Sequence, residues 1–129
     1  MHTKPDGLAK WYKFVREKDE QALAEALADD VLFRSPFLWK PKEGKANAIL
    51  YLSSAVRVLE DFAYHRQFEG DNSVVLEFSA RVGTLSVKGV DIIQFNADGL
   101  IADFEVMVRP ANGLQALGAA MAQQLASRG

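Results

Sequence analysis

The chain has 129 residues and a mass of 14.3 kDa, near the commonest size for one domain, so a single domain over 1–129 is expected. Hydrophobic residues at 49% and charged residues at 25% match an ordinary globular chain and exclude disorder, collagen and coiled coil. Fifteen Lys and Arg against seventeen Asp and Glu leave a net charge of −2, which argues against a nucleic-acid partner; the absence of cysteine removes disulfides, thiolate nucleophiles and Cys-built zinc together.

The opening residues, MHTKPDGLAKWYKF, hold no apolar run of signal-peptide length. No stretch approaches the roughly 18 apolar residues of a membrane span. A cytoplasmic location with no membrane partner is the resulting expectation. Leu8, Trp11, Tyr12 and Val15 then recur at i, i+3, i+4 and i+7, the stripe of an amphipathic helix. Asp19 can cap a second helix whose buried stripe is Leu23, Ala26 and Leu27. Residues 31–36 read as a short strand, and 36–44 as a loop carrying Trp39. A third helix starts near Gly44, with Ile49, Leu52, Val56 and Leu59 on one face.

After Phe62 the period changes from about 3.6 to 2. Residues 63–69 form a strand, and Gly70-Asp71-Asn72 a turn. In Ser73–Val82 the residues Val74, Leu76, Phe78, Ala80 and Val82 point one way; Ser73, Val75, Glu77, Ser79 and Arg81 point the other. Leu85–Phe95 is a long strand, closed by Ala97-Asp98-Gly99 into a hairpin with residues 100–109, where Leu100, Ala102, Phe104, Val106 and Val108 share a face. Leu114, Leu117, Met121 and Leu125 mark a terminal helix. Helices segregated from antiparallel hairpins make an α+β domain with helices on one face of a sheet.

Asp91 is the most informative residue. One face of its strand carries Leu85, Val87, Gly89, Asp91, Ile93 and Phe95, so alternation sets a carboxyl in the middle of the more apolar face. Asp is disfavoured in strands and rarely buried without a partner. Desolvation there raises its pKa, which suits a general base or a neutral acid that donates to an oxyanion. The competing readings are a structural acid that ties down a loop or caps a helix, and the opposite facing, with Asp91 solvated. On the opposite face, Glu77, Arg81, Asp103, Glu105 and Arg109 can form cross-strand ion pairs, with Val90, Ile92, Ile101 and Met107 among them. That face reads either as solvated, with weak ion pairs, or as a homodimer interface with an apolar centre; the interface is favoured.

Four stretches in order, LADDVLFRS at 27–35, WKPKEG at 39–44, VDIIQFN at 90–96 and GLIADF at 99–104, resemble the nuclear transport factor 2-like superfamily, particularly its SnoaL-like branch. The resemblance implies a cone: a strongly curved, mostly antiparallel sheet wrapped around a pocket, with N-terminal helices and a C-terminal helix closing it. Relatives of this kind include ketosteroid isomerases, polyketide cyclases, limonene epoxide hydrolase, scytalone dehydratase and non-catalytic binding modules, so the fold implies a pocket and not a reaction.

Similarity to the ketosteroid isomerase pattern carries its oxyanion aspartate onto Asp91. The position of its catalytic base is taken by Ser35, and that of its oxyanion tyrosine by Trp11, with Tyr12 beside it. One position of three keeps its chemistry, and without a carboxylate at Ser35 the steroid-type proton shuttle is disfavoured. An epoxide hydrolase pattern would need Arg81, Asp103 and Glu105 inside, whereas parity places them outside. A dehydratase pattern would use His65, the lone internal histidine, for which a surface or structural role is the competing reading.

Trp11, Phe33, Trp39, Phe78, Phe95 and Phe104 are candidate pocket-lining residues, with core packing as the alternative and Trp39 read as a rim residue because its loop is Pro-flanked. No phosphate-loop, dinucleotide or zinc-helix motif occurs, so no metal or cofactor is expected. The chain therefore reads as a homodimeric binder of a small apolar ligand. An acid–base isomerase, cyclase or dehydratase would be centred on Asp91, with Tyr12 and Ser35 as hydrogen-bonding partners. The rival is a non-catalytic scaffold or protein-interaction module.

Overall fold

The computed structural model describes residues 5–128; residues 1–4 of the amino-terminal stretch and residue 129 lie outside that range. The order is α1 (Asp6–Glu17), α2 (Glu20–Ala26), β1 (Leu27–Arg34), β2 (Lys42–Glu43), α3 (Lys45–Val58), β3 (Glu60–Gly70), β4 (Ser73–Val82), β5 (Leu85–Phe95), β6 (Ile101–Arg109) and α4 (Ala111–Arg128). Asp19 caps α2 as expected, its Oδ1 accepting from the Gln21 and Ala22 amides at 3.0 and 3.3 Å. β1 begins earlier than residue 31, because Leu27 is already paired with Ile101. β2 is a two-residue strand inside the segment expected to be wholly loop.

The sheet order is β2-β1-β6-β5-β4-β3, with every neighbour antiparallel except β1 and β6, which are parallel. Among the described residues this makes an α+β fold of four helices and one mixed six-stranded sheet. No described helix is long and apolar enough to cross a membrane. β4 and β5 run over the expected bounds and pair without a break from Ser73↔Gln94 to Val82↔Leu85. Val74, Leu76, Phe78 and Ala80 are buried on the face that meets the helices. Gly89 lies opposite Phe78, and a Cβ there would come within 2.6 Å of Phe78 Cζ and collide with the Met107 carbonyl. Only glycine lets the Phe78 ring lie flat across β5, two residues from Asp91.

One facing assignment is corrected. Ile101, expected on the outer face, is fully buried, while Leu100 and Ala102 are partly exposed. The register between β5 and β6 slips after Gln94↔Asp103, so that Phe95 meets Ile101, and this irregularity turns Ile101 inward. From Phe104 onward the expected face holds, with Val106 and Val108 on the inner side. On the outer face Glu77, Arg81 and Asp103 form ion pairs as expected, but with other partners: Glu77 with Arg66 and Lys88, Arg81 with Asp61 and Glu60, and Asp103 with Arg34; Glu105 and Arg109 form none among the described residues.

Candidate functional site

Between the inner sheet face and the helices lies a cavity of about 380 Å³. Phe33, Phe62, Phe78, Asp91, Val106 and Val108 line it from the sheet; Trp11 and Val15 come from α1. α3 adds Tyr51, Leu52 and Ala55, and α4 adds Leu117, Met121 and Leu125. Ser35, Phe37 and Leu38 form part of the rim, on the loop after β1. The lining is almost all carbon, and among the described residues Asp91 is its only ionisable acid or base apart from the Tyr51 phenol. A volume of this size is that of a small-molecule pocket.

Asp91 sits mid-strand between Leu76 on β4 and Val106 on β6, and it is 5% exposed. Tyr64 of β3 donates its hydroxyl to Asp91 Oδ2 at 2.6 Å. The Trp11 indole N–H donates to the Tyr64 oxygen at 2.9 Å. Phe62 and Phe78, stacked at 5.0 Å, wall the same region, and Phe62 meets Tyr64 edge-on at 4.9 Å. Burial without a cation pushes the Asp91 carboxyl up to about 7, against the smaller opposing pull of the Tyr64 hydrogen bond. Burial, together with the adjacent Asp91, holds the Tyr64 phenol well above its ordinary range. No described buried side-chain polar atom lacks a partner, and Asp91 Oδ1 makes no hydrogen bond with the described residues, so Oδ1 is the oxygen open to the cavity.

The residues singled out in the sequence are distributed unevenly. Asp91, Trp11, Phe33, Phe78 and Ser35 line the cavity. Ser35 Oγ accepts from the amides of Phe37 and Leu38 at 3.3 and 3.2 Å, which folds the rim loop. Phe95 and Phe104 are buried in the core beside the cavity without lining it. Trp39 is 99% exposed and does not line the cavity, because the loop carries its side chain away from the rim at Phe37 and Leu38. Tyr12 does not reach the cavity either: its ring meets Tyr64 edge-on at 5.9 Å and its hydroxyl donates to Gln67. Burial, with Glu69 and Asp91 nearby, raises its pKa.

Tyr64 is the residue that sequence reasoning missed. Counting back from the Gly70↔Ser73 pair without interruption sets His65 opposite Phe78, on the inner face. The observed register pairs Tyr64 with Phe78 and Gln67 with Leu76, so β3 carries an extra residue there. The bulge turns both His65 and Arg66 outward: His65 Nε2 lies 2.7 Å from Ser79 Oγ, and Arg66 Nε donates to Glu77 Oε1 at 2.9 Å. The one available signal was the Phe62/Tyr64 aromatic alternation.

Comparison with known proteins agrees with this architecture. The fold is that of the nuclear transport factor 2-like class, as in a protein from Cytophaga hutchinsonii ATCC 33406 at TM-score 0.66 and 18% identity, covering 87% of this chain and 95% of that one. The chain belongs to the SnoaL-like domain family, whose model matches residues 8–104. It is similar to a steroid delta-isomerase from Pseudomonas aeruginosa, with 49% identity and TM-score 0.91 over 95% of this chain and 90% of that one. It is also similar to a protein with a cystatin-like fold from Silicibacter pomeroyi DSS-3, at 35% identity and TM-score 0.86 over 92% and 84% of the two chains. Among curated proteins nothing matches.

Proposed function

We propose that this domain binds a small, mostly apolar ring compound in the cavity and that Asp91 exchanges a proton with it, in chemistry of the isomerase, cyclase or dehydratase type. The carrying observation is a carboxyl in a nearly all-carbon cavity, with one oxygen bonded to Tyr64 and the other open. A pKa of about 7 populates both protonation states near neutrality, so Asp91 can donate to a carbonyl oxygen or accept from an adjacent carbon acid. Ser35 stands where the resemblance would put a carboxylate base, and its hydroxyl is engaged by the rim loop. Asp91 therefore serves alone, removing and returning the proton itself. The apolar wall supplies affinity, and Trp11, Phe33 and Phe78 are its aromatic contacts.

The steroid delta-isomerase relative makes a β,γ-unsaturated steroid ketone the first substrate to assay. The test combines that assay with thermal shifts against steroids, aromatic polyketide-like compounds, terpenoids and fatty acids. A ligand at a hundredfold above its Kd adds about 2.7 kcal/mol of stability, a readily measured shift. A saturable shift is expected, abolished by Ala55→Phe, which fills the cavity. Turnover is expected to titrate near the Asp91 value and to vanish in Asp91→Asn. Binding that leaves Asp91→Asn unaffected, with no turnover, would reduce the domain to a binding module. No response to any class would favour the scaffold.

The same proposal pairs two copies through the outer sheet face. There Phe68, Val75 and Ile92 make a cross-strand apolar row, Val90 lies beside Met107, and Phe68 and Met107 are about half exposed. Sedimentation equilibrium is expected to give a dimer that Ile92→Glu dissociates; a monomeric parent protein removes this part of the proposal.

A further inference from the structure

We propose that Trp11 is a positioning residue that acts through Tyr64, so that Asp91 Oδ2 only accepts and Oδ1 alone carries the proton that faces the cavity. The inference rests on the reading of Asp91 as the proton-exchanging group.

The number of available protons fixes the direction of both hydrogen bonds. An indole N–H donates and never accepts, and a phenol has a single proton. The Tyr64 oxygen accepts from Trp11 Nε1 at 2.9 Å, so its own proton is left for Asp91 Oδ2 at 2.6 Å. The reversed arrangement, with Asp91 donating from Oδ2, would leave the Tyr64 proton without an acceptor, since Tyr64 has no third hydrogen-bond partner among the described residues. Trp11 is 3% exposed and tilted against Phe14 and Phe104 at 5.3 and 4.7 Å, so its N–H is held by core packing. A rigid donor in the core thereby sets the polarity of the pair, and a neutral Asp91 must present its proton to whatever occupies the cavity.

The surroundings of Asp91 offer no competing control. Tyr12 of α1 is directed to Gln67, and Tyr51 of α3 lies on the cavity wall stacked on Phe33 at 5.7 Å. Its strand neighbours are Leu76 and Val106, and α4 contributes Leu117, Met121 and Leu125 to the cavity, all uncharged. Among the described residues no Lys, Arg or His pairs with Asp91. Donation from Trp11 polarises the Tyr64 hydroxyl and strengthens its bond to the carboxylate. Without that N–H the bond weakens, and Tyr64 is free to turn and accept from a neutral acid. Both changes favour the protonated form of Asp91.

The test is a pH titration of the Asp91 carboxyl carbon by NMR in ligand-free protein, for the parent chain, Trp11→Phe, Tyr64→Phe and the double variant. Trp11→Phe is expected to raise the titration midpoint by about 0.5 or more, and Tyr64→Phe by more than that. The double variant is expected to match Tyr64→Phe alone, because Trp11 acts only through Tyr64. Benzothienylalanine in place of Trp11 keeps the ring shape and removes only the N–H, and the same rise is expected; this covers a Trp11→Phe chain that fails to fold. An unchanged midpoint in both Trp11 variants overturns the proposal, as does an equal rise on the Tyr64→Phe background. The readout needs no ligand, so the two readings fail separately. A working relay in a protein that binds nothing removes the proposed function, whereas ligand turnover with an unmoved midpoint removes the relay.

Discussion

Two carboxyls with little exposed area lie on adjacent strands of this sheet, one under a surface ion pair and one deep in the fold, and behave in opposite ways. Glu77 on the outer face is 8% exposed and Asp91 on the inner face 5%. Glu77 is held down at about 2, chiefly by the Arg66 hydrogen bonds, with Lys88 adding to the effect. Asp91 is pushed up to about 7. Low exposed area alone therefore does not set the direction; the depth of the group and its partner do. A guanidinium rewards the charged form, whereas a phenol gives a hydrogen bond but no charge and leaves desolvation to win. The outer face stores its carboxylate as structure, and the inner face keeps its acid able to change state.

The sharpest way to break this contrast is Asp91→Asn. Folding raises the Asp91 carboxyl from its ordinary 3.8 to about 7, so Asp91 contributes stability that is complete below about pH 4 and is lost as pH rises through about 7. The loss amounts to about 4 kcal/mol over that window, at about 1.4 kcal/mol per unit. Urea melts across pH are expected to show this decline in the parent chain relative to Asp91→Asn, which should be the more stable of the two at pH 8. Matching pH profiles for the two chains would show that folding leaves the Asp91 carboxyl unshifted and would end the comparison.

Gly89→Ala is the next largest. The added methyl meets Phe78 Cζ and the Met107 carbonyl, neither of which yields easily, so about 1–3 kcal/mol of destabilisation is expected. The displaced Phe78 ring should also weaken any ligand that Asp91 holds, which a binding isotherm reads directly. Glu77→Gln is the smallest and has the opposite pH sense. Glu77 contributes stability present above its unfolded pKa, near 4.5, and lost as pH falls through about 2. The gap between parent and variant melting temperatures should therefore narrow in acid. A gap that widened in acid would show that Arg66 does not hold the charge.

The contrast was only half legible in the sequence. Alternation over Leu85–Phe95 is enough to place Asp91 inside, and the order of helices and strands is enough for an α+β fold; the SnoaL-like kind follows from the resemblance carried by four short stretches. Glu77 was read outside, among ion pairs, and it is there. The partners were a different matter. The sequence suggests Tyr12 and Ser35 as hydrogen-bond partners of Asp91, but the partner is Tyr64, which uninterrupted alternation in β3 sends outward. Ile101 was misplaced for the same kind of reason, a slip between β5 and β6. The Pro-flanked character of its loop suggests the rim for Trp39, yet the loop holds it in solvent.

What the sequence determined by itself is whatever depends on local backbone geometry: the cap at Asp19, the turn residues, and the side of β5 on which Asp91 projects. Strand alternation is a property of each residue and its immediate neighbours, so it survives without knowledge of the fold. What only the tertiary structure decided is which residues meet Asp91. An extra residue in β3 exchanges His65 for Tyr64, and that bulge exists only in the pairing with β4. The cavity likewise needs α1, α3 and α4 brought together over the sheet, which buries Asp91 among apolar side chains and supplies no cation among the described residues. A carboxyl titrating near neutrality is therefore a property of the assembled site, because desolvation and partner choice are set by contacts between distant parts of the chain.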